Sequence, residues 1–353
     1  MRSEPGSGIT RYVSRSAVVS SEHPPETVAL QPPRTSRQVW SCRPRLRFLP
    51  SSAGFDAEGD GPGDLPGYRH HRPQHKEIVM TIARIPATEP VTVAPETWLI
   101  PNLAAAGPDR YLPVNSLLIR GREPIIVDTG APIHLQRWLD QVFSLVDPQD
   151  VRWIFLSHDD GDHIGGLAEA LAMCPSATLV TNFFATERLS LERSLPIQRM
   201  RWLEPGESFV AGDRRLRLVL PPIFDGPATR GLFDERTGVL WGVDSFAALT
   251  PGAVHHREEV PADLYTETFS LLNSLISPWH QWLDPVRYRR YVDSVAALRP
   301  DTVATAHGPL LTGNAIGDAF DRVRAMAGIP RVMPPGQSVL DDLIATAVLG
   351  RAA

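Results

Sequence analysis

Cysteine is almost missing from this chain of 353 residues, which carries only Cys42 and Cys174. Two thiols cannot build a disulfide framework, and by themselves they cannot form a thiolate metal site. Their scarcity fits a reducing, cytoplasmic setting. No apolar run approaches the roughly 20 residues that a membrane-spanning helix requires. Charge of one sign is not in large excess either. A formal net charge of −5 gives no reason to expect nucleic acid or a membrane as partner. There is no short-period internal repeat.

Residues 1–79 lack a periodic apolar pattern. They are rich in Arg, Pro, Ser and Gly, as in Gln31-Pro32-Pro33-Arg34 and Gly59-Asp60-Gly61-Pro62-Gly63. Such a segment buries too little surface to offset its ordering entropy, so it is expected to be a disordered or non-native extension. It has no apolar signal-peptide core. Glu22, Glu26, Asp56 and Asp60 argue against an organelle transit peptide. Ordered-looking sequence begins at Met80, the expected functional start. This leaves residues 80–328 as one domain and 329–353 as a tail, with Pro330, Pro334, Pro335 and a short helix-like Leu340–Leu349.

What the chain does have is concentrated in one place. An apolar run from Val151 to Leu156 follows a turn at Asp147-Pro148 and reads as a buried strand. It feeds Ser157-His158-Asp159-Asp160-Gly161-Asp162-His163, then Ile164-Gly165-Gly166 and a helix-like Leu167–Met173. The cluster therefore sits in a loop at the carboxyl end of a strand, where α/β sheets place their ligands. A solvated acidic loop would account for the Asp residues but not for the two His residues bracketing them. His with carboxylates is the usual ligand mix for iron, zinc or manganese.

Around this loop the pattern predicts strands at Glu96–Leu103, Val114–Arg120, Pro124–Val127, Thr178–Thr181, Arg199–Leu203, Ser208–Val210, Arg215–Leu220, Val239–Val243 and Thr302–Ala306. Helices are predicted at Ile133–Leu145, Phe184–Leu191, Leu264–Ile276, Pro285–Leu298 and Asn314–Met326. Four further polar residues follow strands or apolar runs: Asp128, Asp225, Asp244 and His307. Each Asp could alone be a cap or turn residue, and His307 a satisfied core histidine. Together they are harder to dismiss. His255-His256 reads as surface, because Arg257-Glu258-Glu259 follows. His280, between Trp279 and Trp282, reads equally as pocket wall or core.

Over residues 91–328 this pattern resembles the metallo-β-lactamase superfamily, which implies an α+β fold, an αββα sandwich with metals at one sheet edge. Hydrolases of that superfamily usually carry His-x-His-x-Asp-His; here the chain reads His158-x-Asp160-x-Asp162-His163. The carboxylate in the second place is similar to the flavodiiron and oxygen-binding diiron proteins, which have Glu there. Asn115–Ile119 before Val127-Asp128-Thr129-Gly130 resembles their opening strands, and Val303–Pro309 their closing ligand strand. By position, the resemblance implies that His158, Asp160 and Asp225 hold one metal and Asp162, His163 and His307 a second. Asp244 would bridge them and Asp128 would orient ligands. The family has His where Asp225 stands.

Four carboxylates would match two divalent cations, and an oxygen-rich set with three imidazoles suits iron, with zinc or manganese as alternatives. The first expectation is thus a diiron protein that binds or reduces a small diatomic such as oxygen. The alternative is a metal-dependent hydrolase of an ester, lactone, thioester or phosphoester using a metal-bridged hydroxide. A non-catalytic interaction module is a third reading. Residues 329–353 are too few for a flavodoxin-like domain, so reduction would need a separate electron-donor protein.

Overall fold

The computed structural model describes residues 85–352. The expectations for residues 1–79, for Met80 as a start and for Cys42 lie outside the described residues. Strands β1 (Val91–Ala94), β2 (Thr97–Ile100), β3 (Leu103–Gly107), β4 (Arg110–Pro113), β5 (Ser116–Ile119) and β6 (Ile125–Val127) come first. Helix α1 (Leu135–Phe143), β7 (Trp153–Phe155), α2 (Leu167–Met173), β8 (Thr178–Thr181), α3 (Phe183–Glu192) and β9 (Met200–Trp202) follow. Then come β10 (Ser208–Ala211), β11 (Arg214–Val219), β12 (Gly231–Asp234), β13 (Val239–Trp241), α4 (Ala262–Ile276) and α5 (Pro285–Ala296). The described chain closes with β14 (Thr302–Ala304), β15 (Leu311–Thr312), α6 (Asn314–Ala325) and α7 (Gln337–Ala352).

The strands form two mixed sheets, ordered β1-β2-β5-β6-β7-β8-β9 and β10-β11-β12-β13-β14-β15, with β3-β4 as a separate hairpin. Their inner faces share one core, in which Leu117, Val127 and Phe155 of the first sheet meet Leu216, Leu218 and Trp241 of the second. The outer face of the first sheet buries Ile126, Ile154 and Leu179 under Trp138 and Val142 of α1 and Leu167 of α2. The outer face of the second buries Leu240 and Val303 under Phe269, Val292 and Phe320 of α4, α5 and α6. Two sheets between two helical layers give the αββα, α+β arrangement. Burial of both faces explains why β5, β6, β13 and β14 read as continuous apolar runs rather than alternating ones.

Several predicted boundaries shift for local reasons. The run Glu96–Leu103 is two strands, because Pro101-Asn102 interrupts it. Helix α3 starts at Phe183, one residue early, since Asn182 caps it by accepting a hydrogen bond from Ala185 N–H at 3.2 Å. The β3–β4 hairpin is not foreseen; its alanines have little strand preference, and its turn uses Gly107 at φ 139° and Asp109 at φ 51°. Strand β12 is missed because only Leu232 and Phe233 are apolar in it, although all four of its residues are buried.

Cys174 lies fully buried at the end of α2. Burial pushes its thiol up to about 11, with Arg199 opposing. In a Cys42→Ser background, the native protein is therefore expected not to react with a thiol-specific disulfide reagent at neutral pH, and to react fully once unfolded. Spectrophotometric thiol titration checks this; rapid labelling of the folded protein would contradict the burial.

Candidate metal centre

Parallel pairing sets the candidate residues level. In the first sheet Val127 lies opposite Phe155, so Asp128 and the Ser157–His163 loop leave neighbouring strands at the same edge. In the second sheet Trp241 lies opposite Ala304, and Asp244 and His307 each follow three residues later. Asn115 joins the two edges, donating from Nδ2 to the carbonyls of Thr305 at 2.9 Å and Gly308 at 3.1 Å, on either side of His307.

The loop is held by close backbone approach. Thr129 N–H donates to the His163 carbonyl at 2.7 Å and Gly165 N–H to the Gly130 carbonyl at 2.7 Å. A Cβ on Gly165 would fall 2.3 Å from the backbone of Ala131, and one on Gly166 2.9 Å from the Trp138 ring. No side chain fits there, which gives the Gly165-Gly166 pair its physical reason. Asp159, within the loop but not among the predicted ligands, pairs with Arg188 of α3 at 3.2 Å.

The three imidazoles turn their Nε2 atoms toward one carboxylate. Asp244 Oδ2 lies 3.4 Å from His158 Nε2, and Asp244 Oδ1 lies 3.1 Å from His163 Nε2 and 3.3 Å from His307 Nε2. Asp162 Oδ2 lies 3.2 Å from His307 Nε2, and Asp160 Oδ2 3.9 Å from His158 Nε2. Three overlapping groups keep their ligand atoms within 4.8 Å of one another: His158-His163-Asp244, Asp162-His163-His307 and His158-Asp160-Asp225. All seven residues predicted from the sequence as ligands fall into these groups. Asp225 also accepts from Thr229 Oγ1 at 2.7 Å. The His and Asp244 side chains are buried, whereas Asp160 is 53% and Asp162 37% exposed, so the centre opens to solvent on the side of those two acids.

Hydrogen bonds on the far side of each ring set its orientation. Asp128 is buried and accepts from His163 Nδ1 at 3.0 Å and from Trp241 Nε1 at 3.0 Å. It also accepts from Ser157 N–H and Ser157 Oγ, both at 2.7 Å. Because the Ser157 hydroxyl donates to Asp128, it accepts from His158 Nδ1 at 3.0 Å. His307 Nδ1 donates to the Pro113 carbonyl at 2.9 Å. Each ring thus spends its Nδ1 proton outward and leaves Nε2 facing the acids, the arrangement a metal-ligating His needs. Ser157, Trp241 and the Pro113 carbonyl were not singled out from the sequence; only the adjacency of Ser157 to His158 hinted at its part.

The electrostatics ask for a cation. His163 Nε2 and Asp244 Oδ1, though 3.1 Å apart, are not aligned as a hydrogen bond, and both are buried with no hydrogen-bond partner among the described residues. Burial, with the neighbouring Asp225 and Asp244 carboxylates, raises the Asp160 carboxyl above its ordinary range against the pull of His158. Burial opposes charge on Asp244, yet His158 and His163 hold its carboxyl well below the usual range. Burial likewise opposes charge on His163 and His307, but Asp244 outweighs it and raises both, His163 well above the ordinary value. Buried acids and imidazoles that stabilise only each other's charged forms are what divalent cations replace. The residues present fit a dinuclear site.

Three other histidines among the described residues stay apart. His280 is buried and spends both nitrogens, on Ser274 Oγ at 3.0 Å and the Met326 carbonyl at 2.9 Å. His255 is half-buried and His256 exposed, and both backbone N–H groups donate to Glu259 Oε2.

Residues 112–308 match the family described as ODP family beta lactamase. A diflavin flavoprotein A 1 of Synechocystis sp. is 26% identical over 218 residues, covering 60% of this chain and 36% of the relative. The anaerobic nitric oxide reductase flavorubredoxin of Salmonella typhi is 22% identical over 203 residues, covering 57% and 42%. The chain therefore spans well under half the length of these relatives. Among solved structures, the flavodiiron protein of Giardia intestinalis superposes with a TM-score of 0.59 at 16% identity, over 68% of this chain and 59% of that one. At that identity the likeness concerns the fold.

Proposed function

The chain belongs to the ODP family of beta lactamases, and on that footing we propose that it is a non-haem diiron protein that binds or reduces oxygen or nitric oxide. One observation carries the reading: a single buried carboxylate, Asp244, lies 3.1 to 3.4 Å from the Nε2 atoms of three imidazoles whose opposite nitrogens are already bonded. His158, Asp160 and Asp225 would hold one iron, and Asp162, His163 and His307 the other, with Asp244 shared. Two ferrous ions there would supply electrons and open positions for a diatomic molecule. A flavorubredoxin relative named as a nitric oxide reductase and a donor set in which carboxylates outnumber imidazoles support iron over zinc.

The chain's own residues would do the rest. Asp128 and Ser157 hold the imidazoles with Nε2 inward. The sheets exclude water behind the site, and the exposed rim at Asp160 and Asp162 admits the ligand and any proton. Electrons for reduction would come from a separate donor protein. Metal analysis of protein purified without added metal, with absorption spectra before and after air, tests this. Two irons per chain and an oxygen-dependent band are expected, and His163→Ala should lose one equivalent. Two zincs with turnover of generic esters would overturn the proposal.

Loading should also release protons. His163 and His307 are raised above their ordinary value, so the metal-free rings hold protons to higher pH than a free imidazole does, and a cation must displace them. Metal affinity is therefore expected to rise with pH until those groups titrate and then level. Calorimetry in buffers of different ionisation enthalpy reads the released protons; an affinity independent of pH between 6 and 8 would contradict it.

A further inference from the structure

The segment that carries Asp225 also forms one wall of a cavity of about 380 Å³, a size suited to a small organic ligand. This wall is fixed from behind. Ser245 Oγ accepts from Ile223 N–H at 2.9 Å and donates to the Ile223 carbonyl at 2.8 Å, and Ser277 Oγ accepts from Phe224 N–H at 3.0 Å. The Tyr288 and Tyr291 hydroxyls donate to the carbonyls of Pro222 and Leu220. With those hydroxyls spent on backbone, the lining is ring surface: Phe224 and Trp279, with centroids 5.7 Å apart and planes at 47°, Tyr288, and Trp282, which is 76% exposed at the mouth.

The polar groups of the lining are nearly all committed. His280 and Ser277 are bonded as described, and Asp284 caps α5 by accepting from Arg287 N–H at 2.7 Å. The Arg287 guanidinium makes no ion pair or side-chain hydrogen bond among the described residues. Ring faces with one uncommitted planar cation select a flat, apolar molecule bearing one anionic group. The rings stack on it, and the guanidinium receives a carboxylate in two-point fashion. The tyrosines cannot serve instead, because burial raises the Tyr288 hydroxyl and it is already donating.

We propose that this cavity is a binding site for a planar aromatic monocarboxylate, packed against the faces of Phe224 and Trp279 and anchored by Arg287. The site does not require the diiron reading; it shares only the 220–225 segment with the candidate centre. Its failure and that of the metal site are separable, because binding can be measured on metal-free and metal-loaded protein alike.

Isothermal titration of the full chain with naphthalene-2-carboxylate, set beside the neutral 2-naphthalenemethanol, tests it. Saturable binding at one site per chain is expected, tighter for the carboxylate. Arg287→Gln should weaken the carboxylate about tenfold or more and leave the alcohol unchanged, and Trp279→Leu should weaken both. Equal affinity for the two compounds, an Arg287→Gln variant that binds the carboxylate as wild type does, or no saturable binding would overturn the proposal. So would sedimentation that finds a dimer abolished by Trp282→Ser with no naphthalene-2-carboxylate bound, since the face would then belong to a second copy of the chain.

Discussion

An Asp244→Ala variant is expected to lose both metal equivalents, whereas His158→Ala and His307→Ala lose one each. Asp244 differs from the other candidate ligands in reach. Its Oδ1 faces His163 and His307 and its Oδ2 faces His158, all within 3.4 Å, so it would serve both halves of the candidate centre. Removing it takes away the only carboxylate near all three imidazoles and leaves Asp160, Asp162 and Asp225, three negative charges where two divalent cations would need four. The backbone is built for this side chain. Val243, just before it, sits at φ 56°, an unfavourable region for a β-branched residue. Its carbonyl is pinned there by Ala306 N–H at 2.7 Å and Thr305 Oγ1 at 2.7 Å. That turn throws Asp244 out of the strand direction and into the site. Elemental analysis after loading and desalting reads the outcome. A thermal shift reads it independently: metal at 100 times its dissociation constant stabilises the wild type by about 2.7 kcal/mol and should leave Asp244→Ala unmoved. A variant that still binds two metals would remove Asp244 from the centre.

Much of the site was legible in the chain because its signals are local or end on apolar runs. His158 to His163 is one loop, and Asp128, Asp244 and His307 each follow a short buried strand whose apolar run is visible without a structure. Asp225 was singled out as the end of an apolar run, but it lies in a loop six residues beyond the end of β11, and its place beside His158 and Asp160 came from the family pattern. What stayed hidden is what depends on distant partners. Nothing in the spacing of Trp241 says that its indole reaches Asp128, 113 residues earlier in sequence. Nor does Arg214 announce its buried pairing with Asp234 at 2.6 Å or its bond to the Pro95 carbonyl at 3.0 Å, which ties the second sheet to the first. In the fold, long apolar strands and capped helices were readable, while β12 and the alanine-rich β3–β4 hairpin were not. β12 is buried by its neighbours rather than by its own composition, and β3 is mostly exposed, so neither shows a strand pattern in the sequence.

Asp128→Asn isolates how much the outward hydrogen bonds matter, and it is expected to weaken metal binding by about 10- to 100-fold. The substitution keeps shape, and Asn tolerates the left-handed conformation of this residue, at φ 58°, as well as Asp does. Any loss is therefore electrostatic rather than conformational. Asp128 receives four donors: Ser157 N–H, Ser157 Oγ, His163 Nδ1 and Trp241 Nε1. An amide offers one accepting oxygen and turns an NH2 toward the rest, so at least one buried donor loses its partner at roughly 1–3 kcal/mol of stability. If the NH2 faces His163, the neutral ring moves its proton to Nε2 and closes the lone pair that a metal needs. If it takes the Oδ1 place, it faces the Ser157 N–H, which loses its acceptor, while the Oδ2 bonds to His163 Nδ1 and the Ser157 hydroxyl survive. Only the first route disarms an imidazole, and it does so without touching a candidate ligand. Nitrogen-15 shifts of the histidine rings distinguish the routes, and denaturant unfolding gives the stability loss. The decisive comparison is the same substitution in a His163→Ala background, where the loss of affinity at the other metal should shrink if the effect runs through His163. Undiminished metal affinity in Asp128→Asn would mean that the rings are held by packing alone, and that this buried carboxylate serves the fold rather than the centre.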